Sequence, residues 1–545
     1  MKAQDNDHVP VLIVGGSLVG LSASVFLGRL GVEHTLIERH SATSAHPRGR
    51  GNNMRTMELY RTAGLEPDIR EAAAILSKND GILQVDILSG GKRRWIYPRI
   101  TGKPPEAEKS STFRCACSQN DLEPVLLDHA RHLGGDVRFS TELVSFTQDE
   151  RAVHAVLRSR DSGETYTVHT DYLLAADGPR SPARERLGIG HTGRGDLFHN
   201  ISVTFRSKAL RDVAGDQPFV VCYITDPAGE GVLLPVDNKE QWVFHMPWKP
   251  ESGETIEDFT EDRCVEHIRA GAGVPDLDVE VTGKAPWHAA DRVADSYRTG
   301  RVFLMGDAVH EMPPTGAFGS NTGIQDAHNL AWKVAAVLRG WAAPELLDTY
   351  EVERRPVAEA TSARATLQAS LEQHPGYSAS QSAKTGTDLV TTALCYRYQS
   401  SAVVGGDPDA PTVPDTFELR GDPGTRAPHM WLTRDGAEVS TIDLYERSFV
   451  LLCGEAGADW RAVARTVAEK LDVPMDACLV GSSAEADLTV RGGADWAEIH
   501  GTTREGAVLV RPDGFVAWRA QRMPANAEQE LADVLLEVLG RGSGR

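Results

Sequence analysis

Three short stretches of this 545-residue chain carry residue types that could do chemistry. The first is Gly15-Gly16-Ser17-Leu18-Val19-Gly20, which closes an apolar run beginning at Val9. The second is Asp177-Gly178, followed by Pro179, Arg180 and Arg184. The third runs from Gly306-Asp307 through Pro313, Pro314, Gly316, Gly319 and Ser320 to Asn321. None sets a nucleophile beside a base. Tight glycine turns and isolated carboxylates instead suit the grip on a phosphate-bearing nucleotide.

The flanking residues predict the elements that would position them. Val9–Val14 reads as a strand and Leu21–Leu30 as a helix, with Leu21, Val25 and Leu30 at near-helical spacing. Gly31 is a helix stop, and His34–Glu38 reads as a second strand. Strand, glycine turn, helix and strand within about 30 residues is the context a dinucleotide fingerprint requires. Gly15 permits the sharp turn and Gly20 lets helix and strand pack closely. The N–H groups of Leu18, Val19 and Gly20, at the helix start, face a pyrophosphate. Glu38 ends the second strand, where a carboxylate accepts from ribose hydroxyls. Ser17 stands where a middle glycine is usual, and its Cβ restricts the pyrophosphate unless the turn shifts.

Tyr172–Ala176 is a strand candidate leading to Asp177, and Arg301–Met305 is another leading to Gly306. The predicted helix Gly323–Leu338 follows. Asp307, at a strand end, can reach a ribityl hydroxyl. The loop beyond it exposes backbone N–H groups to the N1/O2 edge of a flavin. Taken alone, Asp177-Gly178 reads first as a type I′ turn. Taken in order, the three stretches imply one FAD held by three distant parts of the chain.

Composition narrows the class. A 41% hydrophobic and 25% charged chain is an ordinary globular one, of two or three domains at this length. The net charge of −20 argues against nucleic acid and anionic membranes as partners. Seven cysteines without regular spacing argue for reduced thiols in the cytoplasm; Cys115-Ala-Cys117 has the wrong gap for a redox pair. Met1–Pro10 lacks the pattern of a signal peptide, and no apolar run reaches membrane-spanning length.

With these residues in place, the chain resembles the class A, single-component FAD-dependent aromatic hydroxylases, and within them the bacterial hydroxylases of aromatic polyketides. The resemblance rests on Val11–Glu38, His46–Leu59, Ser118–Pro124, Asp177–Arg184 and Gly306–Lys333, and covers about the first 365 residues. It implies an α/β fold: a Rossmann-like FAD-binding domain (1–185 and 285–400), a β-sheet substrate domain (186–284, with part of 80–115), a linker at 405–416 and a thioredoxin-like C-terminal domain (417–545). It implies that Glu38 and Arg39 hold the adenosine ribose, that Arg48 and Arg55 lie on the flavin's path, and that Gln119 meets the ribityl or phosphate region. Asp177 would serve both FAD and NAD(P)H, Gly306-Asp307 the ribityl chain, Pro313 the ring. Pro314, Gly316, Gly319, Ser320 and Asn321 would meet the pyrimidine edge. Ala317-Phe318 departs from the family, which more often has a second glycine there; Phe318 would restrict the flavin pocket.

Asn200–Phe205, Phe219–Ile224, Gly231–Pro235 and Gln241–Met246 alternate like strands. Tyr223, Trp242, Phe244, His245 and Trp248 are candidates for stacking on a polycyclic substrate, with ordinary sheet packing the competing reading. Tyr223 and Arg397 are candidate catalytic contacts, Arg397 by stabilising a substrate phenolate or else by anchoring the tail through a salt bridge. The resemblance implies hydroxylation of an aromatic polyketide through a C4a-hydroperoxyflavin, with NAD(P)H and O₂ consumed, by a monomer or homodimer without a metal. Baeyer–Villiger oxygenation, hydroxylation of a small phenol and a non-catalytic nucleotide-binding protein remain open alternatives.

Overall fold

Val11, Leu12 and Ile13 have no exposed surface, and the strand that holds them, Asp7–Val14, is paired on both sides. Near-continuous apolar runs of this kind belong in parallel sheets covered on both faces. The computed structural model describes residues 7–97, 108–216, 218–371 and 388–542. In it, Asp7–Val14 pairs in parallel with His34–Ile37 and with Thr165–Ala175. Thr165–Ala175 pairs in parallel with Val302–Leu304, and His34–Ile37 with Asp136–Arg138. The register sets Leu304, Ala175, Val14 and Ile37 in one row. Helix Leu18–Arg29 packs against Phe318–Leu338 and Gln119–His132.

A second sheet of eight strands runs in the order His310–Glu311, Glu280–Ala294, His191–Arg206, Gln241–Trp248, Gly231–Pro235, Val221–Ile224, Ile82–Ile87 and Gly90–Tyr97. Its residues alternate cleanly. Ile201, Val203, Cys222, Ile224, Leu233, Trp242 and Phe244 join one core, with Ile268 of the helix Glu261–Ala272. The intervening residues point the other way, as the two-residue period of a strand requires. This sheet runs on to Ala294, beyond the boundary expected at 284, and the segment 98–107 lies outside the described residues.

The third sheet, of seven strands, centres on the parallel pair Phe449–Gly454 and Met475–Gly481, flanked by the hairpin Ala507–Val510 and Val516–Ala520. Helices Trp460–Leu471 and Ala527–Val538 pack together beside it in a thioredoxin-like arrangement. Cys453 and Cys478 are buried, and burial pushes their thiols up to about 12 and about 11. Thiols held so far from ionisation are inert to exchange. Residues 405–416 hold neither helix nor strand, but Arg364 donates to the carbonyls of Val413 and Pro414.

Buried charges weld this third sheet to the first. Glu353 on helix Thr349–Leu371 accepts from Lys333 at 2.7 Å and from both Arg511 terminal nitrogens at 2.6 and 2.9 Å, all without solvent exposure. Arg511 also pairs with Asp513. Burial opposes ionisation of Glu353, yet Arg511 and Lys333 hold its carboxyl well below the usual range. Asp326, beside Arg354 and His310, and Glu58, beside Arg426 and Arg55, are depressed against burial in the same way. A depressed carboxyl contributes stability that is complete above about pH 4.5 and is lost as pH falls through the folded value. Removing one partner of such a cluster leaves the others uncompensated, at about 3–5 kcal/mol. Glu353→Gln should therefore lower the unfolding free energy at pH 7 by that order and flatten the acid limb of the stability profile. Equal melting of variant and parent would show that the cluster contributes nothing.

Candidate active site

The three chemistry-bearing stretches begin where the aligned strands end. The sheet's ladder continues past those ends: Gly15 N–H donates to the Ile37 carbonyl at 2.9 Å, Ala176 N–H to Val14 at 2.8 Å and Met305 N–H to Ala175 at 2.9 Å. Gly15, Asp177 and Asp307 thus leave neighbouring parallel strands on the same edge, and all three line one cavity of about 2630 Å³. This is the crevice outside the carboxyl ends of an open α/β sheet, where ligands bind. Its volume exceeds the 300–1000 Å³ usual for one small molecule.

The first turn is shaped by close approach. Gly15 has φ +108°, and a Cβ there would stand 2.3 Å from the Ala176 carbonyl oxygen. A Cβ on Gly20 would stand 1.8 Å from the Gly15 oxygen, so strand and helix meet as the fingerprint demands; Gly20 itself lies beneath the cavity, not in its wall. Ser17 caps the start of the helix with extended backbone. It lines the cavity, and its hydroxyl donates to Glu123 Oε1 at 2.6 Å and accepts from Gln119 Nε2 at 2.9 Å; the N–H groups of Leu18, Val19 and Gly20 follow it at the helix start. Those N–H groups have no partner inside the helix by geometry. Glu38 lines the cavity while Oε2 accepts from Gly16 N–H at 2.7 Å and Oε1 from His40 N–H at 2.8 Å. A carboxylate has about four acceptor positions, so capacity remains. Arg39, Arg48 and Gln119 line the same space.

Asp177 caps its own turn: its carboxylate accepts from Ser181 Oγ at 2.5 Å and Ala183 N–H at 3.0 Å. Burial raises its carboxyl above the ordinary value, against those bonds. Asp307 shows its surface to the cavity with protein packed around it, and burial raises its carboxyl too, with Glu311 adding and His310 opposing. Beneath it, Asp326 Oδ2 accepts from Gly306 N–H at 3.1 Å and pairs with His310 Nε2 at 2.8 Å. Gly306 is therefore a buried support and not a wall residue. Pro313, Pro314, Gly316, Gly319 and Ser320 line the cavity.

Three sequence assignments need correction here. Asn321 is buried behind the loop, where its amide donates to the carbonyls of Gly51 at 2.7 Å and Ala317 at 2.5 Å and its Oδ1 accepts from Asn53 N–H. It positions the loop and does not face the cavity. Arg55 points into the protein, donating to the Asp513 carbonyl at 2.6 Å and Glu58 at 3.2 Å, because helix Met54–Thr62 turns it toward the third sheet. Phe318 is buried at the helix start, which lies five residues before the expected Gly323, and does not narrow the cavity. Ala317 carries the cost of the missing glycine: it sits at φ +54°, ψ +38°, a left-handed conformation costing about 1–2 kcal/mol.

On the second sheet, Ser202, Tyr223, Val232, Leu234 and His245 face the cavity. Trp242 and Phe244 do not. They occupy the opposite face, Trp242 donating to the Ser207 carbonyl at 3.1 Å and Phe244 packed edge-on to His267. Strand alternation forbids 242 and 244 from sharing a face with 245. Arg397 is also remote: its N–H donates to Thr412 and its guanidinium pairs with Glu418 at 3.3 Å. The salt-bridge reading of Arg397 is the one its geometry supports.

Several wall residues escaped the sequence. Trp287 on strand Glu280–Ala294 donates Nε1–H to His245 Nδ1 at 3.2 Å. His288, raised by its hydrogen bond to Glu311, and His46, lowered by burial and by Arg48, also line the space. So does Arg50. Strand period places Trp287 only once the strand's true end is known.

Two family models match the chain: the FAD binding domain over residues 8–365 and the aromatic-ring hydroxylase C-terminal region over 420–542. A Streptomyces halstedii protein named a polyketide hydroxylase is 60% identical over 99% of each chain. Tetracenomycin A2 monooxygenase-dioxygenase of Streptomyces glaucescens is 42% identical, over 99% of this chain and 98% of its own. The structure of aklavinone-11 hydroxylase with FAD and aklavinone superposes with a TM-score of 0.89 at 37% identity, covering 98% of this chain and all of that one.

If Asp307 holds the ribityl chain, as the family resemblance implies, Asp307→Ala would remove a contact of about 1.5–3 kcal/mol, and FAD retention should weaken by about 10- to 100-fold. Undiminished flavin content after dialysis would refute the assignment. Arg397→Ala should leave hydroxylation unchanged, and a loss of turnover with FAD still bound would return that residue to the site.

Proposed function

The chain belongs to the FAD-binding aromatic-ring hydroxylases, and from that premise we propose that it hydroxylates a polycyclic, quinone-like aromatic polyketide at the expense of NAD(P)H and O₂. The observation that carries this reading is the single cavity shared by the three aligned strand ends and the inner face of the second sheet. One wall suits a dinucleotide and the facing wall a flat apolar ring system.

The residues fit FAD. The cradle at Gly15 and Gly20 excludes side chains, the first turn of helix Leu18–Arg29 turns its N–H groups outward, and Glu38 and Asp307 stand at opposite ends as acceptors for hydroxyls. In this assignment Glu38 and Arg39 hold the ribose, Leu18 and Val19 the pyrophosphate, Asp307 the ribityl chain. Pro313, Pro314, Gly316, Gly319 and Ser320 border the ring. The chemistry supplied by bound flavin is activation of O₂ and transfer of one oxygen atom after reduction by the nicotinamide.

The protein's own part is position, dryness and charge. Val232, Leu234 and Trp287 offer apolar and aromatic surface, which excludes water from the reacting face. Trp287 is a donor only, so His245 Nδ1 accepts and its ring proton resides on Nε2. Tyr223 presents a phenol on the same wall for a substrate oxygen. The homologues that act on tetracenomycin and aklavinone by name support a substrate of that flat, oxygenated kind.

The purified protein should be yellow, and a panel of polyketide quinones should speed its NADPH oxidation where simple phenols do not. Product NMR should place a new hydroxyl on an aromatic carbon. A ring-expanded ester would assign Baeyer–Villiger chemistry instead, and a colourless protein that takes up no FAD would defeat the reading. Tyr223→Phe should reduce hydroxylation about tenfold with FAD still bound, the loss of one hydrogen bond to a charged or polarised oxygen.

A further inference from the structure

Arg397 is held against Glu418, but among the buried arginines of the described residues one that lines the cavity lacks an ion-pair partner. Five arginines are buried among the described residues: Arg50, Arg55, Arg354, Arg426 and Arg511. Four are ion-paired, Arg55 and Arg426 with Glu58, Arg354 with Asp326, Arg511 with Glu353 and Asp513. Arg50 is the exception. It is 6% exposed and lines the cavity. Its Nη1 donates to the Pro235 carbonyl, and its buried Nη2 has no hydrogen-bond partner. Asp121, on helix Gln119–His132, is the carboxylate that acts on it, without forming an ion pair. Burial lowers Arg50 to about 10, which still leaves it charged at neutral pH. A buried charge left uncompensated is expensive, and a site that tolerates one has a use for it.

Its placement says what that use is. The backbone on either side is fastened to the cofactor wall: Gly49 accepts from Gln119 N–H at 3.0 Å and Gly51 from Asn321 Nδ2 at 2.7 Å. The side chain reaches the other way, to the end of strand Gly231–Pro235, whose Val232 and Leu234 line the substrate wall. The guanidinium therefore stands at the seam between the flavin loop and the substrate sheet. Cofactor phosphates have their own place at the helix N-terminus beyond Ser17. We propose that Arg50 binds an oxyanion of the substrate, the phenolate or enolate oxygen of a hydroxylated quinone, and so selects the ionised, electron-rich form of the ring. The hydroxyl proton leaves to solvent on binding. The planar fork of an arginine matches such an oxygen and its neighbouring carbonyl, and a water-poor wall strengthens the pairing. This rests on the hydroxylase reading above.

The probe is 1,2-dihydroxyanthraquinone, whose anion absorbs beyond the flavin bands, titrated into FAD-loaded protein at a pH where the free dye is neutral. The parent should bind the dye ionised. Arg50→Met should bind it neutral and about tenfold more weakly, Arg50→Lys should retain the ionised form, and both should keep their FAD. The dimethoxy analogue, which cannot ionise, should bind parent and Arg50→Met alike. Binding of the anion by Arg50→Met with parental affinity would overturn the proposal, as would neutral binding or no binding by the parent. Loss of FAD from both variants would make Arg50 a cofactor contact instead. A parent that holds no FAD would sink the hydroxylase reading first and this inference with it.

Discussion

Everything in the site hangs on one row of backbone hydrogen bonds. Leu304, Ala175, Val14 and Ile37 stand in register on four parallel strands, and the ladder runs one step further through Met305, Ala176 and Gly15. Residues separated by roughly three hundred positions in sequence are therefore only strand spacings apart, about 4.8 Å each. Gly15, Asp177 and Asp307 have little choice of neighbour once those strands pair. A slip of one residue in Val302–Leu304 would turn Asp307 away from the cavity. The absence of side chains at Gly15 and Gly20 then converts the row's end into a surface that a pyrophosphate can approach.

The rest of the molecule keeps that row and its facing wall in place. The second sheet has a packed face around Trp242, Phe244 and Ile268 and a cavity face around Tyr223, Val232 and His245. Asn321 pins the loop after Asp307 to Gly51 and Asn53, while Asp326 holds Gly306 from below and passes its charge to Arg354. From there the ionic cluster of Glu353, Lys333, Arg511 and Asp513 continues into the third sheet. The C-terminal region, with its inert thiols, is thus ion-paired to helix Thr349–Leu371 and, through Glu353, to Lys333 on helix Phe318–Leu338, which follows the loop after Asp307.

Much of this was legible in the sequence, for a physical reason. Glycine turns between strand and helix, and carboxylates at strand ends, are local patterns. Val9–Val14, Tyr172–Ala176 and Arg301–Met305 all fall on strands of the first sheet. Facing could also have been read, since Trp242 and His245 differ in parity and must point to opposite sides of one strand. Long-range partners could not. Nothing near Arg55 announces Asp513, nothing near Arg397 announces Glu418, and Asn321 becomes a clamp only because Gly51 is folded against it. Arg50 is not distinguished from Arg48 and Arg55 by sequence, because the lack of an ion-pair partner is a property of the folded chain.

The central claim is geometric, so a crystal structure of the FAD-bound protein tests it most directly. One continuous density should run from Glu38, past the N–H groups of Leu18 and Val19, to Asp307, with the ring system facing Tyr223 and His245. Density that placed the adenine end and the ring system in separate cavities, or a ring system turned away from the second sheet, would contradict the account.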